Sequence, residues 1–294
     1  PVAGRTVREG RRHGGATLAE AVVVLVLPAG TDTAAAVMQV PVSDYAGEAR
    51  LAAEEAALRP RLQKRIYRSA DGQTLPYRLH IPNNYDPARE YPLILFLHGA
   101  GERGVDNEAQ LLHPEVLRFI NDDAAARHPC FLVAPQCPEG HRWVETPWDS
   151  PRAHATPVEP SLPTRLTMEI LDSLEKEFRI DPDRRYATGM SMGGFGVFDL
   201  LVRRPGHYAA AIVICGGADN SKAKEIAAVA YRVFHGADDG AVPVARSRSI
   251  VEALKQAGAR VHYTEYEGAG HNVWSRAYQE PELVDWLFAR KRGA

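Results

Sequence analysis

From about residue 63 onward, short apolar runs alternate with segments of helical spacing. Leu93–Leu97 (LILFL) and Cys130–Ala134 (CFLVA) are continuous apolar runs, the pattern of strands buried on both faces. Tyr186–Gly189, Ala209–Cys215, Val229–His235 and Val261–Tyr266 read as further strands. Helical spacing covers Leu162–Phe178, the stretch after Gly189 through Phe198 and Leu201, Arg246–Ala257 and Pro281–Arg290. Lys64–Ser69 and Leu75–Ile81 flank an Ala-Asp-Gly turn and predict a hairpin. Such alternation buries its strands only when helices cover both faces. It therefore predicts an α/β fold with a mostly parallel central sheet of about eight strands, the hairpin forming an antiparallel edge. Ligands of open sheets of this kind bind beyond the carboxyl ends of the strands. The residues just after each apolar run are where chemistry is sought.

The chain has 294 residues, enough for one large α/β domain or a domain with an extension. A formal net charge of -2 leaves no electrostatic footprint for nucleic acid or an anionic membrane. Three cysteines, Cys130, Cys137 and Cys215, lack paired CxxC spacing, so no structural zinc site is expected. One bridge plus one thiol or three free thiols are both open, and Cys130 and Cys215 lie in or beside apolar runs as small core residues. Residues 1–62 differ in texture from residues 63–294 and are read as a leader or extension ahead of the α/β domain. Arg5, Arg8, Arg11 and Arg12 precede the apolar run Ala21–Leu27, and Ala34–Ala36 follow, in the order of a secretory signal, although Glu20 abuts the run and Pro28 and Gly30 end it early; a secreted or periplasmic protein is expected, with a cytoplasmic one as the alternative. That run is too short to span a bilayer. Tyr45–Leu58 predicts a short helix.

The densest chemical signal is Gly189-Met190-Ser191-Met192-Gly193, a G-x-S-x-G between a predicted strand and a predicted helix. There a serine sits on a tight turn that pushes its hydroxyl outward, and the following helix aims its N–H groups at developing negative charge. The strand Leu93–Leu97 runs into His98-Gly99-Ala100-Gly101-Glu102-Arg103-Gly104, the expected source of a second oxyanion donor. The donors predicted are the N–H groups of Met192 and Ala100, with Gly101 as the alternative. His98 is read as a brace for loop backbone, and whether Glu102 pairs with Arg103 or faces the pocket is left open. On this chain order an acid and a histidine follow the serine. Asp239, in H-G-x-x-D-x-x-V-P, lies about 48 residues on, and His271 about 32 further. His271 is the expected base, with His235 and His262 read as structural. Asp238 is read as a solvated neighbour of the acid.

These residues resemble those of the α/β-hydrolase superfamily, and more closely its phospholipase/carboxylesterase, feruloyl-esterase-like and polyhydroxybutyrate-depolymerase-like esterases. The resemblance rests on Leu97–Gly104, Ala134–Pro138, Gly189–Gly194, His235-Gly236 with Asp239 and Val242-Pro243, and Gly270-His271 with Trp274. It implies the α/β-hydrolase fold, a Ser191–Asp239–His271 triad, no metal and no cofactor. The expected partner is a small or polymer-linked ester of short acyl or aryl type. A serine peptidase of the same fold and a catalytically silent binding module are the competing readings. Trp143, Trp148 and Trp274, in predicted loops near strand ends, and Gly101 are expected to line the substrate pocket. Phe195 and Phe198 are expected in the core, and the Pro-rich stretch 139–163 is expected at the pocket mouth.

Overall fold

In the computed structural model the described residues are 53–54, 57–293 and two short strands, Glu20–Ala21 and Val40–Pro41, which pair antiparallel. Apart from Glu20–Ala21, the signal-like leader lies outside them, as does most of the Tyr45–Leu58 helix expectation. The chain separates into two units, residues 1–57 and 58–294.

The second unit carries an eight-stranded sheet. Its strands are β1 (Leu62–Arg68), β2 (Thr74–His80), β3 (Tyr91–Leu97), β4 (Phe131–Pro135), β5 (Ile180–Met190), β6 (Ala210–Ile214), β7 (Ala230–Gly236) and β8 (Arg260–Tyr266). Their order is β8-β7-β6-β5-β3-β4-β2-β1. β1 and β2 form the expected hairpin, β2 runs antiparallel to β4, and all remaining pairs are parallel. The order reverses at β3: the chain steps outward to β4, then returns to lay β5 on the other side of β3. The carboxyl ends of β3 and β5 therefore flank the topological switch point, where open sheets bind ligands.

The continuous apolar runs are explained by two cores. Leu93, Leu95 and Leu97 of β3 point into one, Ile94 and Phe96 into the other. The first core is closed by Leu166, Ile170 and Leu174 of α2 (Leu162–Glu177), by α3 (Met192–Arg203) and by Ile250 and Leu254 of α4 (Ala245–Gln256). Phe195 and Phe198 of α3 belong to it, as expected. The second is closed by α5 (Trp274–Tyr278), α6 (Leu283–Phe288) and the irregular segment 109–127. That segment contains 3-10 turns and the short helix Asp122–Arg127, α1 in chain order. The second core was not anticipated in detail, because the irregular segment has no helical period to read. β5 is also longer than predicted: Asp181, Pro182, Asp183, Arg184 and Arg185 hide its first half, where the pairing with β3 is irregular between Tyr91 and Leu93.

Leu95 is fully buried at the centre of the sheet. Leu95→Ala is expected to cost about 2–5 kcal/mol of stability. Urea denaturation should show a lower midpoint with an unchanged slope; an unchanged midpoint would contradict the packing described.

Candidate active site

Ser191 stands between β5 and α3 at φ 54° and ψ -123°, a conformation costly for a residue with a side chain. Packing holds it there. The Ser191 N–H donates to the Ile214 carbonyl at 2.8 Å, and the Ser191 carbonyl accepts from Gly194 N–H at 2.8 Å. The glycines of the motif are required by close backbone approach. A Cβ on Gly193 would lie 1.9 Å from the Leu97 carbonyl oxygen, and one on Gly189 would lie 2.5 Å from the Gly193 carbonyl oxygen.

His271 reaches Ser191 from the loop after β8. Its Nε2 lies 2.8 Å from Ser191 Oγ and its Nδ1 2.7 Å from Asp239 Oδ2. For Nδ1 to pair with a carboxylate it must carry the proton, which leaves Nε2 as the acceptor for the serine hydroxyl. The Asp239 carboxylate, on the loop after β7, is wholly buried. Its Oδ1 accepts the N–H groups of Ala241 and Val242, each at 2.8 Å. His235 supplies a further donor: its Nε2 lies 3.1 Å from Asp239 Oδ2 and 2.9 Å from the Val242 carbonyl, both acceptors, so it bears a proton. Burial opposes ionisation of Asp239, but the hydrogen bonds from His235, His271 and Val242 outweigh it and hold the pKa well below the ordinary carboxylate range. Asp238 is exposed.

Cys215, His235 and Asp239 bring three ligand-type atoms within 4.8 Å of one another. Both Asp239 oxygens are already engaged in hydrogen bonds, and His235 Nδ1 meets Ser247 Oγ at 2.7 Å. Cys215 Sγ donates to the His271 carbonyl at 3.4 Å, so all three groups are engaged in hydrogen bonds and the cluster is built as a brace. All three cysteines are free and buried.

Ala100 opens a 3-10 turn, Ala100–Glu102, directly after β3, and Met192 opens α3. First residues of helical turns have N–H groups without an intrahelical acceptor. The Ala100 loop is braced from below. His98 is fully buried; its Nε2 accepts the Cys137 N–H at 2.9 Å, so Nδ1 carries the proton and donates to the Gly99 carbonyl at 2.7 Å. Burial pushes its pKa down to about 4, which suits this neutral, bracing role.

Above Ser191 lies a cavity of about 310 Å³, bounded by Ala100, Gly101, Trp148, Trp274 and His271. Two of the three anticipated tryptophans are there. Trp143 is not: it is wholly buried, donates from Nε1 to the His98 carbonyl at 3.0 Å and packs on α3, where a Cβ on Gly196 would lie 2.6 Å from its own. Its place in a loop suggested exposure, whereas the missing side chain of Gly196 draws it into the core. The Trp148 ring carries the Arg142 guanidinium at 4.2 Å. Glu102 and His113 also line the cavity. The first was left open by sequence and the second not foreseen, since nothing in the irregular segment 109–120 signals where it points.

A serine on a strained strand-to-helix turn, a histidine and a buried acid, set at the switch point of this sheet, define an α/β-hydrolase. The comparisons place it more narrowly. Residues 69–242 match the family model "Esterase", and the chain belongs to that family. It is 26% identical over 168 residues to a probable feruloyl esterase C of Aspergillus terreus, covering 57% of this chain and 56% of that protein. It thus spans little more than half the length of that curated relative. It is 22% identical to carboxylesterase SOBER1 of Arabidopsis thaliana, over 68% of this chain and 91% of that one. Among solved structures, a thermostable esterase superposes with a TM-score of 0.74 at 37% identity, over 80% of this chain and 64% of that one. A ferulic acid esterase of Anaeromyces mucronatus in complex with ferulic acid shares the fold, with a TM-score of 0.58 at 15% identity over 78% and 90% of the two chains.

Two predictions follow from the packing and the charge. Gly193→Ala is expected to destabilise the protein by about 3 kcal/mol, because two backbones rather than a flexible side chain must separate; an unaltered unfolding midpoint would refute the contact with Leu97. Because the folded pKa of Asp239 is depressed, its stabilising contribution is present above the ordinary carboxylate range and is lost as pH falls through that range toward the folded value. Asp239→Asn should therefore lose less stability than wild type between roughly pH 6 and roughly pH 3. Equal acid-side losses in the two proteins would count against the ionised acid.

Proposed function

We propose that this chain is a serine carboxylic ester hydrolase that acts on short acyl or aryl esters, feruloyl and polyester types among them, through an acyl-enzyme. The observation that carries this reading is the unbroken Asp239–His271–Ser191 hydrogen-bond chain ending beneath the indole-walled cavity.

Ser191 Oγ attacks the ester carbonyl carbon while its proton passes to His271 Nε2. The carbonyl oxygen gains the negative charge and takes the N–H groups of Met192 and Ala100. Asp239 stays ionised and stabilises the imidazolium that has formed. The tetrahedral centre collapses, the alcohol leaves with the proton from His271, and Ser191 remains acylated. Water then repeats the sequence, giving up a proton to His271 and releasing the acid. Each oxyanion donor supplies about 3 kcal/mol of the barrier lowering.

The cavity volume supports the substrate class. About 310 Å³ is at the lower end of the range for small-molecule pockets, room for a short acyl or single aryl group rather than a long chain. Trp148 and Trp274 offer flat apolar faces to an aromatic ring. Export is part of the reading, supported by Arg5, Arg8, Arg11 and Arg12 ahead of the Ala21–Leu27 run.

Hydrolysis of p-nitrophenyl acetate, butyrate and decanoate and of methyl ferulate, alongside peptide p-nitroanilides, tests it. Acetate, butyrate and ferulate are expected to turn over and decanoate poorly, with Ser191→Ala down by about 10⁶-fold to background. Activity on the anilides alone would move the reading to a peptidase. A protein that turns over none of these substrates and resists phosphonate labelling at Ser191 would be a binding module.

A further inference from the structure

Glu102 and His113 are not needed for the steps above, yet both line the cavity, and both are tied to its tryptophan wall. The Trp274 indole Nε1 donates to His113 Nδ1 at 3.1 Å, and His113 Nε2 lies 3.3 Å from Glu102 Oε1. An indole nitrogen is donor only, so His113 Nδ1 must be the acceptor and Nε2 must carry the proton offered to Glu102. The chain therefore has one direction, from indole N–H through imidazole to carboxylate, and each bond polarises the next. Its two ends differ in rigidity. Glu102 belongs to the oxyanion turn and is nearly buried. Burial opposes its ionisation, but the hydrogen bonds it accepts from His113 and from the Gly99 N–H keep its pKa below the ordinary value. Trp274 stands at the start of α5, three residues after the base, with its ring 5.6 Å from that of His271 at 84°.

We propose that Glu102 and His113 are positioning residues that hold Trp274 upright as a pocket wall and so set the preference for aryl over acetyl esters. The proposal rests on the ester-hydrolase reading of this site. Without an acceptor at position 113, the half-buried indole N–H loses its partner, and the ring turns to find another. An aryl group that stacks on Trp274 loses its surface, whereas an acetyl group has no ring to stack there. The irregular segment supports the same wall elsewhere: Ser275 Oγ donates to Glu115, and Arg118 Nη1 donates to the Tyr278 carbonyl. His113 is the member of this set that touches the wall itself.

The test compares the wild type with His113→Leu and His113→Gln, the latter carrying an amide that accepts from the indole and donates to Glu102. The ratio of kcat/KM for methyl ferulate over methyl acetate is expected to fall about tenfold in His113→Leu, through KM for the ferulate. His113→Gln is expected to restore the ratio to within about threefold of wild type. The Trp274 indole N–H resonance, assigned with Trp274→Phe, should exchange slowly with deuterium in wild type and His113→Gln and fast in His113→Leu. An equal fall on both esters, an unchanged ratio or an unchanged exchange rate would overturn the proposal. Should the wild type hydrolyse neither ester, the ester-hydrolase reading falls on its own. Ferulate binding, followed by tryptophan fluorescence, then decides the wall: weaker binding to His113→Leu than to wild type upholds it. Equal binding or none to wild type refutes it.

Discussion

A Cβ atom at position 193 would lie 1.9 Å from the carbonyl oxygen of Leu97, so the helix after the serine and the strand before the Ala100 turn meet backbone to backbone. Nearly every part of the site depends on that approach. It brings the carboxyl end of β3 beside the carboxyl end of β5, at the one place where the strand order reverses. It leaves the Ala100 turn and the first turn of α3 facing a shared space. It also requires Ser191 into a positive φ, because the chain must leave β5 and enter α3 within a single residue. The strain is local and its support is distributed: Ile214 holds the serine N–H, Cys137 holds His98, and the sheet holds both.

The electrostatics follow a related logic. A carboxylate as buried as that of Asp239 is costly unless each lone pair meets a donor. Here two backbone N–H groups and two imidazoles converge on it. His235 contributes without reaching the serine. It is locked between Ser247, the Val242 carbonyl and the acid, so the same Asp239 oxygen that meets His271, Oδ2, is also held by a second imidazole. An acid held this way orients His271 into the tautomer that accepts a proton from Ser191.

Much of this was legible in the sequence, where residue type and local structure are tightly coupled. G-x-S-x-G between a strand and a helix, H-G after a buried run and D-x-x-V-P after another are each short, and each depends on backbone geometry that few residue types allow. The sheet was legible because buried parallel strands are uniformly apolar. What stayed hidden was set by distant neighbours. Trp143 and Trp148 sit five positions apart in one irregular stretch, yet Gly196 makes room for the first in the core while the second stays at the cavity. His113 and the turns around it have no period, and His113 acquires meaning only when Trp274, 161 residues away, is laid against it. Asp239 was separable from Asp238 by motif, but the second histidine on the acid was read as merely structural.

The three members of the hydrogen-bond chain are not held equally. Ser191 is fixed by a strand, a helix and a forbidden contact, and Asp239 by four donors. His271 stands on a loop, and its own backbone is held by the Val273 N–H at 3.0 Å and by the Cys215 thiol, 3.4 Å from its carbonyl. In the proposed mechanism the base moves a proton between serine and leaving group, so some freedom of its ring is useful, but a loop alone would let it swing away. The short helix that begins at Trp274 resolves this conflict. It is tied along its length to segment 113–118, which the sheet does not include. The irregular stretch that sequence patterning could not read thereby limits the base from outside the sheet, while Asp239 limits it from within.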